Sequence, residues 1–243
     1  MIRFLLAGLL AAFGLLGPVS MAGAPTAAAA TIGPLPKCSV ADVSTARSSL
    51  ASYATTLLDT YYKLPAAYAP ALTRVSAAGF SSANGGGLPM RNLVALTTDL
   101  RALRLAAAKA SAPLAITSAY RSYSNQVSTF AYWVSQGGYA AALLSSARAG
   151  HSEHQLGTAF DFRSAGGTDP WNLSDWATTA AGAWMKTNAW KYGFVNSYPA
   201  GMTSVTCYQY EPWHYRYVGR TEAAAIHASG LVPRAWIWSQ YGK

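Results

Sequence analysis

Carboxylates are scarce in this chain of 243 residues: there are nine, and three of them fall in two short stretches together with three of its four histidines. The first stretch is Gly150-His151-Ser152-Glu153-His154-Gln155-Leu156-Gly157-Thr158-Ala159-Phe160-Asp161-Phe162, and the second is Glu211-Pro212-Trp213-His214. A fold that brings them together gathers two imidazoles, a carboxylate and a second carboxylate nearby. That is the donor set of an open catalytic zinc site, with three protein ligands at about 2.0–2.2 Å and a water in the fourth position. The rest of the chain reads as the frame for that meeting.

His154 and Asp161 are seven residues apart, and neither a straight helix nor a straight strand points both at one place. A loop histidine feeding a strand aspartate does so if Gly157 makes the bend. His151 and His154 form an H-x-x-H pair at helical spacing, so His151 is a rival ligand, although Gly150 and the polar run after it oppose a stable helix. Glu211 and His214 are three apart and would face opposite sides of a strand. A turn at Pro212 lets His214 ligate a metal while Glu211 stands off as the base.

Residues 1–30 carry Arg3, an apolar run from Phe4 to Leu16 and small residues ending at Ala30, the order of a secretory signal peptide. The run is short of the roughly 20 residues of a bilayer-spanning helix, so an exported protein with no stable membrane span is expected. Beyond the leader the chain holds 17 basic and 9 acidic residues, a net charge of +8. That balance suits an anionic surface such as a cell wall. The basic residues are dispersed and no nucleic-acid motif is present, which argues against DNA or RNA as partner. Cys38 and Cys207 are the only cysteines, and in an oxidising compartment they are expected to pair.

Along the chain, Leu50, Ala54, Leu57, Leu58 and Tyr61 recur at helical spacing, which predicts a helix over 43–63 as an N-terminal helical arm (31–63) ahead of the main domain (64–243). Residues 65–87 read as loop, most flexible at 81–87. A helix follows over 92–110, buried through Leu93, Leu96, Leu100 and Leu103. Leu114–Ser118 reads as a buried strand, then come a helix capped by Ser124 or Asn125 to about Ser135, ended by Gly137-Gly138, and a short helix over 139–148. Thr158–Phe162 alternates as a strand. A helix from Ser174 or Asp175 to Asn188 carries Trp176, Ala180 and Trp184 inward. Strands follow at 194–195 and 213–218, and Thr221 caps a last helix that Gly230 stops. Trp236 and Trp238 read as core or lid packing. Without regular β-α-β spacing or a Gly-rich nucleotide loop, the pattern predicts an α+β domain with a small, mostly antiparallel sheet flanked by helices.

Ser152-x-His154-x-x-Gly157-x-Ala159-x-Asp161 with Glu211-x-Trp213-His214-x-Arg216-Tyr217 resembles the two signatures of the VanY-type zinc D-alanyl-D-alanine carboxypeptidases, in the wider group of lysostaphin-like peptidases and the hedgehog signalling domain. Tyr120-Arg121-Ser122-x-x-x-Gln126 and Tyr192-Gly193-Phe194-Val195-x-Ser197-Tyr198-Pro199 are similar to two further family segments. The resemblance covers about residues 64–219, and Ala149 departs from it where relatives often carry proline. It implies a hedgehog/D-Ala-D-Ala peptidase-like fold with a zinc cleft, one Zn2+ on His154, Asp161 and His214, and Glu211 as catalytic base. It implies Arg121 for the oxyanion or the substrate's terminal carboxylate, with Ser152 and Gln126 helping to bind that carboxylate. A guanidinium, always charged and forked, suits that task. The implied activity is removal of the terminal D-alanine from peptidoglycan stem peptides outside the cytoplasm. L,D-carboxypeptidase and endopeptidase activities could use the same centre, as could a non-catalytic wall-binding module.

Overall fold

The computed structural model describes residues 33–242, so the expected leader lies outside the described residues. In chain order the elements are β1 (Val43–Ser44), β2 (Tyr62–Lys63), β3 (Leu72–Arg74), β4 (Pro89–Arg91), α1 (Val94–Lys109), β5 (Leu114–Ser118) and α2 (Tyr123–Ser145). They continue with β6 (Ala159–Ser164), α3 (Ala180–Asn188), β7 (Phe194–Asn196), α4 (Thr203–Thr206), β8 (His214–Tyr217), α5 (Arg220–Ser229) and α6 (Pro233–Tyr241).

β5, β6, β8 and β7 lie side by side in that order as a fully antiparallel sheet. Alternation along these strands sorts the side chains onto two faces. Phe160, Phe162, Phe194, Tyr215 and Tyr217 point to one face and pack with Leu96, Leu100 and Leu103 of α1 and Met185 of α3. Three of them, Phe160, Phe162 and Phe194, are wholly buried, each worth roughly 1.5–3 kcal/mol relative to exposure. The intervening residues of β6 and β8 fall on the opposite face, where Asp161 stands directly across from His214. The α+β class and the small antiparallel sheet match the sequence reading.

The helix expected over 43–63 does not form, and with it the helical arm. Apart from the pair β1–β2, this segment holds a single 3-10 turn at Leu50–Ser52. The apolar spacing is there, but short polar side chains take the backbone elsewhere. Thr56 Oγ1 donates to the carbonyls of Arg47 and Ser52, and Asp59 Oδ1 accepts the N–H groups of both Tyr61 and Tyr62. The segment is bonded to the body of the domain: buried Asp59 pairs with Arg234 of α6 at 2.7 Å.

Residues 81–87 are wedged rather than loose, because Gly85 (φ +88°) approaches the sheet so closely that a Cβ there would sit 2.2 Å from the Ile116 carbonyl oxygen. Helix α2 is capped two or three residues earlier than expected, with Ser122 Oγ accepting the Asn125 N–H, and it turns at Gly138 (φ +79°, ψ 167°). The helix expected from Ser174 or Asp175 is broken. Asp175 caps one 3-10 turn carrying buried Trp176, Thr179 then caps α3, and Ala180 is exposed. Thr221 does not cap α5, whose N-cap is Gly219, and α6 follows α5 as the last helix, with Trp236 in a buried cluster. Arg101 and Arg104 on α1 bond the carbonyls of Ala77 and Ala78.

Candidate metal centre

The first stretch folds as a tight turn feeding a strand. Residues Glu153–Leu156 make one 3-10 turn, opened by Ser152 Oγ, which accepts the His154 N–H, and closed by Gly157 in the left-handed region (φ +74°). A Cβ at Gly157 would meet Arg91 at 3.1 Å, so the bend and the close approach both ask for glycine. The turn places His154 just ahead of β6 and Asp161 in its middle. A register shift between Ile116 and Ser118 of β5 lies alongside Asp161, a bulge of the kind that re-aims side chains next to sites. In the second stretch the His214 N–H donates to the Glu211 carbonyl at 3.2 Å, closing a turn over Pro212 and Trp213 before β8 begins.

These turns bring His154, Asp161 and His214 together, with one ligand atom from each inside a 4.8 Å sphere of mutual distances. His154 Nε2 is 3.2 Å from Asp161 Oδ2, and His214 Nδ1 is 3.1 Å from Asp161 Oδ1. A tetrahedral zinc with bonds of about 2.0–2.2 Å holds its ligand atoms roughly 3.3–3.6 Å apart, so the three fit one cation. Partners outside the cluster fix each ring. His154 donates from Nδ1 to the Ala119 carbonyl at 2.7 Å, leaving Nε2 as the lone-pair nitrogen. His214 donates from Nε2 to Glu153 Oε2 at 2.9 Å, turning Nδ1 toward Asp161 and Glu211. Nδ1 then faces only acceptors, at 3.1 and 3.8 Å, and that setting calls for positive charge. Burial works against it, yet the Asp161 and Glu153 carboxylates raise the His214 imidazole to about 10. Asp161, buried but flanked by the two histidines, is held far below the usual carboxylate range. Burial lowers His154 and favours the neutral ring that a metal needs.

Glu153, to which the sequence reading gave no role, anchors the arrangement. It is buried, its Oε1 pairs with Arg216 at 2.9 Å, and its Oε2 also accepts from Ser197 at 2.7 Å. Burial pushes its carboxyl up, but Arg216, His214 and Ser197 outweigh this and hold it at about 2. Arg216, 1 % exposed, donates onward to the carbonyls of Tyr53 and Thr56. A carboxylate behind a ligating histidine fixes its tautomer and raises its basicity. The available signal was an acid beside His154 and an arginine two residues after His214.

Glu211 is 16 % exposed with Oε2 3.8 Å from His214 Nδ1, and burial, helped by the charge of Asp161, pushes its carboxyl up to about 8. Arg121 donates to Ser118 Oγ and to Gln126 Oε1 at 3.0 and 2.9 Å and lines the same cleft as Ser152, Glu211 and the three candidate ligands. Gln126 sits differently from its expected place on substrate. It is wholly buried, its oxygen is taken by Arg121, and its amide donates to the Ala147 carbonyl at 2.6 Å. It therefore holds Arg121 from within the fold, off the cleft lining. His151, the rival ligand, points away: its ring contacts the Asp59 carbonyl at 2.7 Å and Asp42 at 3.0 Å. Cys38 and Cys207 are joined in a disulfide, four residues ahead of Glu211.

The cleft, about 380 Å³, is lined in part by Trp171 and Trp213 and by Thr129 and Trp133 of α2. Among the described residues no helix is long and apolar enough to cross a membrane.

The family model described as "VanY: D-alanyl-D-alanine carboxypeptidase" matches residues 92–220, from the start of α1 to the start of α5. YodJ of Bacillus subtilis (strain 168), a carboxypeptidase by name, is 42% identical over 127 residues, 52% of this chain and 46% of that protein, so the chain spans under half the length of this curated relative. Among solved structures, the LdcB LD-carboxypeptidase superposes with a TM-score of 0.64 at 34% identity, covering 75% of this chain and 85% of that one. A point mutant of the vancomycin-resistance D,D-pentapeptidase VanY in complex with Zn(II) superposes with a TM-score of 0.62 at 27% identity, covering 76% and 99%. The match spans both stretches that build the metal centre. The chain belongs to the VanY D-alanyl-D-alanine carboxypeptidase family.

Proposed function

We propose that this protein is an exported, zinc-dependent D,D-carboxypeptidase that removes the terminal D-alanine from peptidoglycan stem peptides. The observation that carries the reading is the convergence of His154, Asp161 and His214 in one cleft with Arg121 and the raised carboxyl of Glu211. One zinc ion held by the three ligands would polarise the scissile carbonyl and acidify a water molecule. Glu211 takes the proton of the attacking water and returns it to the departing amine. Arg121 pairs with the substrate's terminal carboxylate or the oxyanion, its fork aimed by Gln126 and Ser118. Ser152, on the lining of the same cleft, is assigned to help bind that carboxylate. The net positive charge draws the protein to an anionic wall.

A second reading, an L,D-carboxypeptidase, is favoured by one observation, the likeness to the LdcB LD-carboxypeptidase. Mass spectrometry of defined stem peptides separates the two. Loss of one D-alanine from a pentapeptide, with one zinc per chain by metal analysis, supports the first; trimming of a tetrapeptide alone supports the second. A chain that binds zinc and leaves both peptides intact is neither.

A further inference from the structure

Helix α2 is two helical legs. Gly138 breaks it, and the rings of Phe130 and Tyr139, nine residues apart, meet edge to face at 5.8 Å. A continuous helix would part them by about 13 Å, so the second leg folds back along the first. The base is closed where the Gln126 amide reaches the Ala147 carbonyl, and the Gln209 N–H bonds the Leu144 carbonyl. Of the 23 residues of α2 only Gln126 and Ala142 are buried. From Ser122 to Ala147 there is no charged residue, in a chain of net charge +9. The exposed aromatic groups are Tyr132 (57 %), Tyr139 (51 %) and Trp133 (38 %), interspersed with Ser128, Ser135 and Gln136.

We propose that this hairpin is a carbohydrate platform, holding the glycan part of the polymer whose peptide end lies in the cleft. The inference rests on the function proposed above. Trp133 and Thr129 belong at once to the hairpin and to the cleft wall, so a ligand leaving the cleft on that side runs onto the hairpin. Pyranose rings offer apolar C–H faces rimmed by hydroxyl groups, which match flat aromatic rings set among hydroxyl and amide side chains. The lack of charge disfavours a polyanion as occupant, since nothing there neutralises it. The helical backbone has its N–H and C=O groups paired, so an added peptide strand finds no edge. A bilayer or a second copy of the chain would seek a continuous apolar face, and serine, threonine and glutamine interrupt this one.

The test compares the zinc-loaded full chain with Tyr132→Ala and with the double variant Tyr132→Ala/Tyr139→Ala, each first shown to melt with the wild type. Two substrates are used: a bare pentapeptide, and the same peptide on an N-acetylglucosamine–N-acetylmuramic acid disaccharide. The variants are expected to raise KM for the sugar-linked substrate about tenfold, the size of one lost aromatic contact, with bare-peptide kinetics unchanged. Tyr132→Phe restores the wild-type KM. Equal effects on both substrates, or none on either, overturn the platform. In parallel, wild type should co-sediment with chitin, an uncharged polymer of N-acetylglucosamine, and the double variant should not; failure of wild type to bind overturns the proposal even where peptide is cleaved. If neither substrate is cleaved, the functional reading fails while the chitin arm still reports on the hairpin. Loss of vesicle binding or of a dimer in the variants, with sugar binding unchanged, also overturns it.

Discussion

The metal face of β6 and β8 and the α2 hairpin lie on the same cleft and are built on opposite rules. On the metal face the polar side chains bond one another in series: His154 is tied to Ala119, His214 to Glu153, Glu153 to Arg216 and Ser197, and Arg216 to Tyr53 and Thr56. On the hairpin most side chains are exposed, and only Gln126 and Ala142 are buried. A centre that must place charge to within a fraction of an ångström needs a saturated network, whereas a surface that meets a large substrate can leave its side chains free. Substitutions should therefore separate the two regions by size and kind of effect.

The largest effect is expected at Glu211. Glu211→Gln should keep zinc, by metal analysis, and lower kcat on pentapeptide by about 10²–10⁴-fold; a variant with wild-type turnover removes Glu211 from the mechanism. Next comes Glu153→Gln, which leaves Arg216 buried without its countercharge and should destabilise the fold by about 3–5 kcal/mol in denaturant titration. It should also weaken zinc about 10–100-fold, by loosening the ring behind which Glu153 stands. Loss of zinc affinity with stability unchanged would recast Glu153 as a tuner of the metal alone.

The acid limb of stability is a smaller effect. Glu153 is depressed from 4.5 to about 2 by folding, so the unfolded chain binds the extra proton between those values. Its contribution is complete above pH 4.5 and is lost as pH falls toward 2. Melting temperatures of wild type should drop across that window and those of Glu153→Gln should drop less; parallel curves would assign the acid sensitivity to other groups. The smallest effect belongs to the hairpin. Val127→Ser, at a position 50 % exposed, should move stability by less than about 0.5 kcal/mol, and a loss above about 2 kcal/mol would show that the hairpin carries load in the fold.

What could be read from the sequence follows the same division. Histidines and acids are rare enough here that two short stretches located His154, Asp161, His214 and Glu211 before any coordinates, and Gly157 marked the bend. The alternating strand at Phe160–Phe162 and the leucine stripe of α1 were equally plain, because one period runs through each. Glu153 escaped because its role depends on Arg216 and Ser197, which only the sheet brings near. The bond from Arg121 to Gln126 was not legible, because motif spacing does not tell which neighbour an amide faces. The helix over 43–63 failed because apolar spacing carries no account of Thr56 and Asp59 bonding the backbone. The hairpin was legible as helix, Gly-Gly, helix; its folding back was not.

Asp161 and His214 stand directly opposite each other on neighbouring strands. Side chains alternate between the faces, so a slip of one residue in that pairing would send Phe160 or Phe162 to the metal side and drive the carboxylate into the core. The one register that seats the phenylalanines in the core is thus also the register that holds Asp161 beside His214, so core packing and assembly of the candidate ligand set are selected together.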